Sequence, residues 1–161
     1  MTLETLKPEF VNEDCEELSS ELLLNTDSPI PDIEFLLDKN MDFSVDSLEY
    51  LDEYLGRQNI NQMTISESIN LTHRCGSYLG EVIRKNSEID YNWLGYAGAV
   101  AVNEKIKTIE FGMESTYMLY SDDGGFVFPL AKVVKRIEYG EEENIVFFAK
   151  IAISGSHRRK N

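Results

Sequence analysis

Cysteine, histidine and tryptophan are scarce in this chain. Few cysteines and histidines leave few residues that could form disulfides or bind a transition metal. The 161 residues include two cysteines, two histidines and one tryptophan. Cys15 and Cys75 form no CxxC pair, so they predict free thiols rather than a disulfide framework or a zinc site. The sequence also has no glycine-rich phosphate loop and no HExxH motif. We therefore expect neither a metal ion nor an organic cofactor.

Long apolar runs are missing as well. No segment approaches the 18 or so uninterrupted apolar residues that would span a bilayer. The residues after Met1 show no basic stretch followed by an apolar one, which is the pattern of a secretory signal. The sequence therefore predicts a cytoplasmic protein that does not enter a membrane.

Basic residues are few, and their distribution is uneven. The chain has 29 acidic and 15 basic side chains, a net charge of −14, which argues against binding nucleic-acid phosphates or anionic membranes. Residues 1–60 hold 16 acidic and 3 basic residues (−13), whereas residues 61–161 hold 13 and 12 (−1). One interpretation is an acidic surface that keeps the protein soluble. The other is a negative face for a basic protein partner.

Hydrophobic spacing predicts an α+β fold. Helices are expected over 12–25, 32–39, 44–56 and 64–86, and two more follow Pro129 and Gly140. Between them, 97–102, 107–113, 116–121 and 126–128 are typical of strands. We expect N-terminal helices packed on an antiparallel sheet of three or four strands, with two C-terminal helices. The expected organisation is an acidic, partly helical segment (1–41), one α+β domain (42–154) and a basic tail (155–161).

The helix over 64–86 carries the clearest local signals. Thr64 and Glu67 have the spacing of a capping box, and Ile65 and Ile69 begin an apolar face that continues through Thr72, Gly76, Leu79 and Ile83. Two glycines four residues apart favour close packing of another chain segment. The alternative is a ligand pocket at that point. Its candidate lining is Gly76, Tyr78, Gly80, Glu81 and Trp93.

A candidate partner-binding face lies on the helix over 44–56. Two tyrosines lie off its leucine stripe beside three carboxylates, and such a surface suits arginine and lysine side chains. We expect it to be exposed. Its residues are Glu49, Tyr50, Asp52, Glu53 and Tyr54, and the steering carboxylates of the first helix are Glu13, Asp14, Glu16 and Glu17.

Catalytic patterns are weak. His73, Ser77 and Glu81 share a helix face at i, i+4 and i+8, but stacked helical neighbours seldom bring a nucleophile and base into hydrogen-bond reach. An ordinary polar face is the favoured interpretation. The Asp-Asp-Gly-Gly stretch at 122–125 lacks the alternating carboxylates of a calcium loop, and it predicts a turn.

Three stretches together resemble a group of small bacterial domains of unknown activity. They are DFSVDSLEYLDEYL (42–55), GSYLGEVIRKN with the following Trp93, and FPLAKVVKRIEYGEEENIVFFAK (128–150). The shared motifs are an SLxxLD helix, a GxYxGE helix followed by tryptophan, and a helical segment running from proline through lysine to glycine. The resemblance implies an α+β domain, loosely associated with toxin–immunity loci, and supplies no catalytic residues.

These observations predict a non-enzymatic binding protein, most concretely an immunity-type inhibitor that occludes a basic effector or toxin. Two alternatives stay open. One is a small-molecule-binding or enzymatic domain that uses Gly76, Gly80 and Glu81. The other is a structural subunit of a larger assembly, which would expose an apolar patch of more than about 300 Å².

Overall fold

The computed structural model describes residues 8–24, 27–123 and 125–156, and these form an α+β fold. The described parts contain seven α-helices: α1 (Asn12–Ser20), α2 (Glu34–Leu37), α3 (Ser47–Gly56), α4 (Ile65–Asn86), α5 (Tyr96–Val102), α6 (Pro129–Tyr139) and α7 (Ile145–Ser154). They also contain three strands: β1 (Asn92–Gly95), β2 (Tyr117–Ser121) and β3 (Gly125–Val127). Short 3-10 turns lie at Ile60–Gln62, Glu104–Thr108, Met113–Ser115 and Glu141–Glu143.

Helix α4 is the central element, because α1, α6 and α7 all pack against it. Its predicted capping box is confirmed: Glu67 N donates to Thr64 Oγ1 at 3.1 Å, and Thr64 N donates to Glu67 Oε1 at 3.0 Å. The core face begins only at Leu71. Ile65 and Ile69 were expected to share it, but they are 81% and 37% exposed. The first turns of α4 extend past the elements that cover the rest of the helix.

The sheet has the order β1-β2-β3, with both pairs antiparallel. Side chains alternate between its two faces. Trp93 pairs in register with Leu119, and both lie in the main core with α4. Leu94 pairs with Met118, and both lie in a smaller core on the opposite face.

Two of the four predicted strands are wrong. Residues 97–102 belong to α5, and residues 107–113 form 3-10 turn and irregular chain. The stretch over 97–102 is rich in alanine, the best helix former, and its buried Ala99 covers the second face of the sheet. The first strand is instead β1, which lacks polar alternation because both of its faces are covered.

The N-terminal segment shares its core with the rest of the chain. Cys15, Leu22, Ile30 and Leu36 are buried in one cluster with the α4 residues, so the core extends across the boundary expected after residue 41. Before α1, Phe10 forms an isolated bridge with Leu94 on the outer edge of β1. The first helix is therefore held by the sheet as well as by α4.

Both C-terminal helices are confirmed. Pro129 occupies the first turn of α6, and Gly140 ends the helix at φ 88°, a value that favours glycine. Asn144 begins α7 by accepting hydrogen bonds from Val146 N (2.9 Å) and Phe147 N (3.1 Å). Residues 157–161 of the expected basic tail, and residues 1–7 of the acidic N-terminal segment, lie outside the described residues.

Candidate functional site

Helix α3 presents only part of the predicted partner-binding face. Glu49, Tyr50 and Glu53 lie on the solvent side, and Tyr50 is 37% exposed. The expectation that Tyr54 is exposed is wrong. Its ring is fully buried, its hydroxyl donates to Pro31 O, and burial raises its pKa. Tyr54 follows Leu51 by three residues, so it lies on the same side of the helix as the leucine stripe.

Asp52 is also buried, and it joins three helices. It accepts hydrogen bonds from Arg136 Nε (2.9 Å) and Nη2 (3.3 Å), from Asn144 Nδ2 (3.2 Å) and from Ile145 N (3.0 Å). Arg136 comes from α6 and is only 6% exposed. This ion pair ties α3 to α6 and satisfies the first free N–H of α7. Asp52 therefore has a structural position, and both of its carboxylate oxygens are occupied by hydrogen bonds within the fold.

An aromatic side chain that the sequence reasoning missed lies beside the exposed part of α3. Glu49 and Phe147 line a shallow cleft of about 340 Å³ between α3 and α7, with Lys150 on its rim. Phe147 is 67% exposed. The available signal was its place in IVFFAK, where two adjacent phenylalanines point to different sides of one helix and only Phe148 packs inward. The resulting surface, named here the α3–α7 face, consists of Glu49, Tyr50, Glu53 and Phe147.

The steering carboxylates predicted on α1 are exposed. Glu13, Asp14 and Glu17 make no ion pair with any other described residue. Glu16 is also exposed, but it binds Arg84 Nη1 at 3.2 Å. The early position of Glu13 and Asp14 also suits the positive end of the helix.

Helix α1 is held firmly in place. Trp93 N donates to Asn12 Oδ1 at 2.7 Å, and Val11 N donates to Trp93 O at 2.9 Å. Arg84 connects Glu16 to the buried Glu81, which it contacts at 2.8 Å. These contacts fix the direction in which the α1 carboxylates point.

Most acidic residues in the first 60 positions are exposed and make no ion pair with another described residue, as on α1. Fifteen of the 16 acidic residues before residue 61 are described, and four of them form ion pairs (Asp32, Asp38, Glu16 and Asp52). Of the remaining 11, all but the half-buried Glu21 are exposed. The excess negative charge therefore faces solvent and is not neutralised by neighbouring cations in the described parts of the chain.

The predicted close packing at the two glycines of α4 is confirmed, and the alternative pocket is wrong. A methyl group on Gly76 would lie 2.7 Å from Leu130 Cγ, and one on Gly80 would lie 2.1 Å from Trp93 Cζ2. Trp93 Nε1 donates to Glu81 Oε2 at 2.9 Å, so the carboxylate is occupied as well. Tyr78 is directed elsewhere, and its hydroxyl is 2.7 Å from Ser47 Oγ at the start of α3.

The three polar residues along α4 do not form a catalytic relay. His73 Nε2 lies 3.3 Å from Thr116 Oγ1, and burial lowers the pKa of its imidazole. Ser77 Oγ is buried beside Cys15, and Glu81 is held by Trp93 and Arg84. Each side chain thus serves a separate packing contact.

The described ranges contain neither a candidate metal site nor a membrane-spanning helix. No group of three or more histidine, cysteine, aspartate or glutamate side chains in residues 8–24, 27–123 and 125–156 is placed to hold a metal ion. Nor does this part of the chain contain a helix long and apolar enough to cross a membrane. Asp122 and Asp123 follow β2 in a turn, and Asp123 accepts a hydrogen bond from Ser121 Oγ at 2.7 Å.

No family model, curated protein or solved structure matches this chain. The resemblance to the small bacterial domains stays a prediction.

Proposed function

We propose that this protein is a non-enzymatic binding protein whose acidic N-terminal surface occludes a basic protein partner, most concretely an immunity-type inhibitor of a basic effector or toxin. The observation that carries the proposal is the set of 10 exposed carboxylates in the first 60 residues that make no ion pair with another described residue. The concentration of acidic residues in the first 60 positions and the resemblance to the small bacterial domains support the same interpretation.

Unpaired surface carboxylates act on a partner at a distance. Charges that are already paired within the fold contribute little to the outside potential, whereas unpaired charges of one sign add together. A basic partner would be drawn toward this surface, and its association rate would rise as salt is lowered. Helix α1 is fixed against β1 and α4, so its carboxylates are arranged before the partner arrives.

The α3–α7 face supplies the short-range part of the proposed contact. Tyr50 and Phe147 are exposed aromatic side chains, and aromatic residues commonly anchor protein interfaces. Glu49 lines the same cleft as Phe147, and Glu53 lies one turn further along α3; neither makes an ion pair with another described residue. Arginine suits such a surface, because it pairs with carboxylates and stacks on aromatic rings.

The first experiment compares three immobilised proteins in a lysate of the host cell at low salt. They are the wild type, a Glu49→Gln/Tyr50→Ala/Glu53→Gln variant of the α3–α7 face, and a Glu104→Gln/Glu110→Gln control that also removes two exposed carboxylates. We expect the wild type and the control to retain one stoichiometric basic protein that a salt gradient releases. The face variant should release it at lower salt.

The purified partner then allows a kinetic test. We expect the association rate to fall as ionic strength rises, and Glu13→Gln/Asp14→Gln/Glu17→Gln to weaken that salt dependence. An association rate that does not change with salt would refute the electrostatic model. Retention of no basic protein, or equal release from all three columns, would leave the acidic surface as a solubility feature.

A further inference from the structure

A groove of about 310 Å³ lies where β3 meets α6 and α7. Its walls include Phe126, Phe128 and Phe148, and Ala131 is the small residue between them. Phe126 and Phe128 are stacked with ring centroids 6.3 Å apart. Grooves of this size and apolar character are typical of small-molecule sites. Beyond Phe128 and Ala131 a second depression of about 480 Å³ continues along α6 toward residues 109–115.

Two lysines and one glutamate form the polar rim of this groove. Lys132 and Lys135 come from successive turns of α6, and Glu143 comes from the 3-10 turn that follows the helix. The Lys132 ammonium group binds Glu143 Oε2 and lies 5.5 Å from the centroid of the Phe148 ring. Lys135 is exposed and makes no ion pair with another described residue.

The position of Glu143 shows that a carboxylate is favoured at this rim. The hydrogen bond from Lys132 lowers the pKa of Glu143, and the charges of Lys132 and Lys135 lower it further. Glu143 is half-buried at the end of a short 3-10 turn rather than inside an α-helix, so its side chain is able to leave without disturbing a helix. An external carboxylate would meet the same two ammonium groups.

We propose that this groove binds a small amphipathic carboxylate, with its apolar body between the phenylalanine rings and its carboxylate beside Lys135 and Lys132 in the place of Glu143. The aromatic walls select an aromatic or medium-length aliphatic body, and the two lysines select the anion over its neutral analogue. This site is separate from the α3–α7 face and does not depend on the proposed inhibitor function.

The test is a titration of the full chain with 4-phenylbutyrate. Binding is measured from the changes in backbone amide chemical shifts by NMR. The ligand has about a dozen non-hydrogen atoms, and a ligand of that size is expected to bind with a Kd of about 2 mM. We expect shifts at Phe126, Phe128 and Phe148, and binding of 4-phenylbutyramide that is weaker by about threefold or more.

Four variants separate the contributions of the lysine, the competing glutamate and the apolar groove to binding of the ligand. Lys135→Gln should weaken binding of the acid about threefold, and Glu143→Gln should strengthen it by a similar factor, because the competing carboxylate is removed. Ala131→Trp should abolish binding by filling the groove. Lys107→Gln, an exposed lysine outside the groove, should leave the Kd unchanged.

Equal affinity for the acid and the amide would overturn the proposal, as would shifts centred away from the three phenylalanines. Unchanged affinity in both Lys135→Gln and Glu143→Gln would overturn it too. The NMR spectrum of each variant reports its folding in the same experiment, so a loss of binding caused by unfolding is recognised directly.

Discussion

Adding a single methyl group at Gly80 tests the central packing of the fold. In Gly80→Ala the new Cβ would lie 2.1 Å from Trp93 Cζ2 and 2.3 Å from Cη2. Ordinary contact begins at 3.4 Å, so the indole would have to retreat by about 1.3 Å. Trp93 is fully buried, and its Nε1 is bonded to Glu81, so it has little freedom to move.

The change in unfolding free energy in Gly80→Ala is the sum of two opposing contributions, helix propensity and overpacking. Alanine is favoured over glycine inside a helix by about 1 kcal/mol. Overpacking a rigid core costs about 3 kcal/mol when a large side chain must shift. We therefore expect Gly80→Ala to lower the free energy of unfolding by about 2 kcal/mol, which corresponds to a Tm decrease of about 4–8 °C.

Urea denaturation followed by circular dichroism measures this change. Gly98→Ala in α5 is the matched control, because its new Cβ would lie 3.3 Å from Leu94 Cδ2, at the end of a side chain, and 3.7 Å from Glu9 O, an ordinary contact distance. We expect that control to be neutral or stabilising. A Gly80→Ala protein as stable as the wild type would refute the close contact between α4 and β1.

A double-mutant cycle assigns the cost to the indole. Trp93→Phe shortens the ring system, so Gly80→Ala should be less costly in that background. The interaction free energy between the two substitutions should exceed about 1 kcal/mol. Strict additivity would show that the destabilisation arises elsewhere.

Three further predictions concern Asp52, His73 and the two cysteines, whose side chains are buried or half-buried. Asp52→Asn should lower the free energy of unfolding by about 3 kcal/mol, because it leaves the buried Arg136 guanidinium uncompensated, whereas the exposed Glu53→Gln should change it by less than about 0.5 kcal/mol. Equal effects in urea titrations would contradict the assigned burial. The lowered pKa of His73 means that the unfolded chain binds more protons than the folded one near its ordinary pKa, so stability should fall as the pH decreases from about 7 to 5. His73→Asn should flatten that slope, and an unchanged slope would assign the effect to other groups. Burial raises the thiol pKa of both Cys15 and Cys75, so a thiol reagent at pH 8 should modify them only as fast as the protein opens, and rapid reaction without denaturant would place them at the surface.

Local signals in the sequence were sufficient for the elements that depend on local physics. The capping box at Thr64 and Glu67, the proline at the start of α6 and the glycine after it are short-range features, and each fixes a helix end. The glycine pair on α4 favoured close packing over a ligand pocket, because two glycines are costly inside a helix unless something lies close to them. What it could not reveal was that Leu130 and Trp93 are the neighbours.

The errors arose where tertiary contacts decide the structure. The alanines of 97–102 permit a helix, but the apolar surface against which Ala99 packs comes from Leu94 and Met118, outside those six residues. Asp52 carries a charge that normally marks the surface, and its burial depends on Arg136, which lies 84 residues further along the chain. On the partner-binding face, helical spacing from Leu51 was sufficient to place Tyr54 in the core, whereas the exposure of Phe147 required the position of α7.

The position of Trp93 provides an optical consequence of the fold. It is the only tryptophan in the chain, it is fully buried, and its backbone bonds to Val11 and Asn12 while its indole bonds to Glu81. Its emission spectrum should therefore shift to longer wavelength when β1 separates from α4 and exposes the indole, even if the helices stay folded. Local separation of β1 and global unfolding should thus be distinguishable by fluorescence and far-ultraviolet circular dichroism on the unlabelled protein.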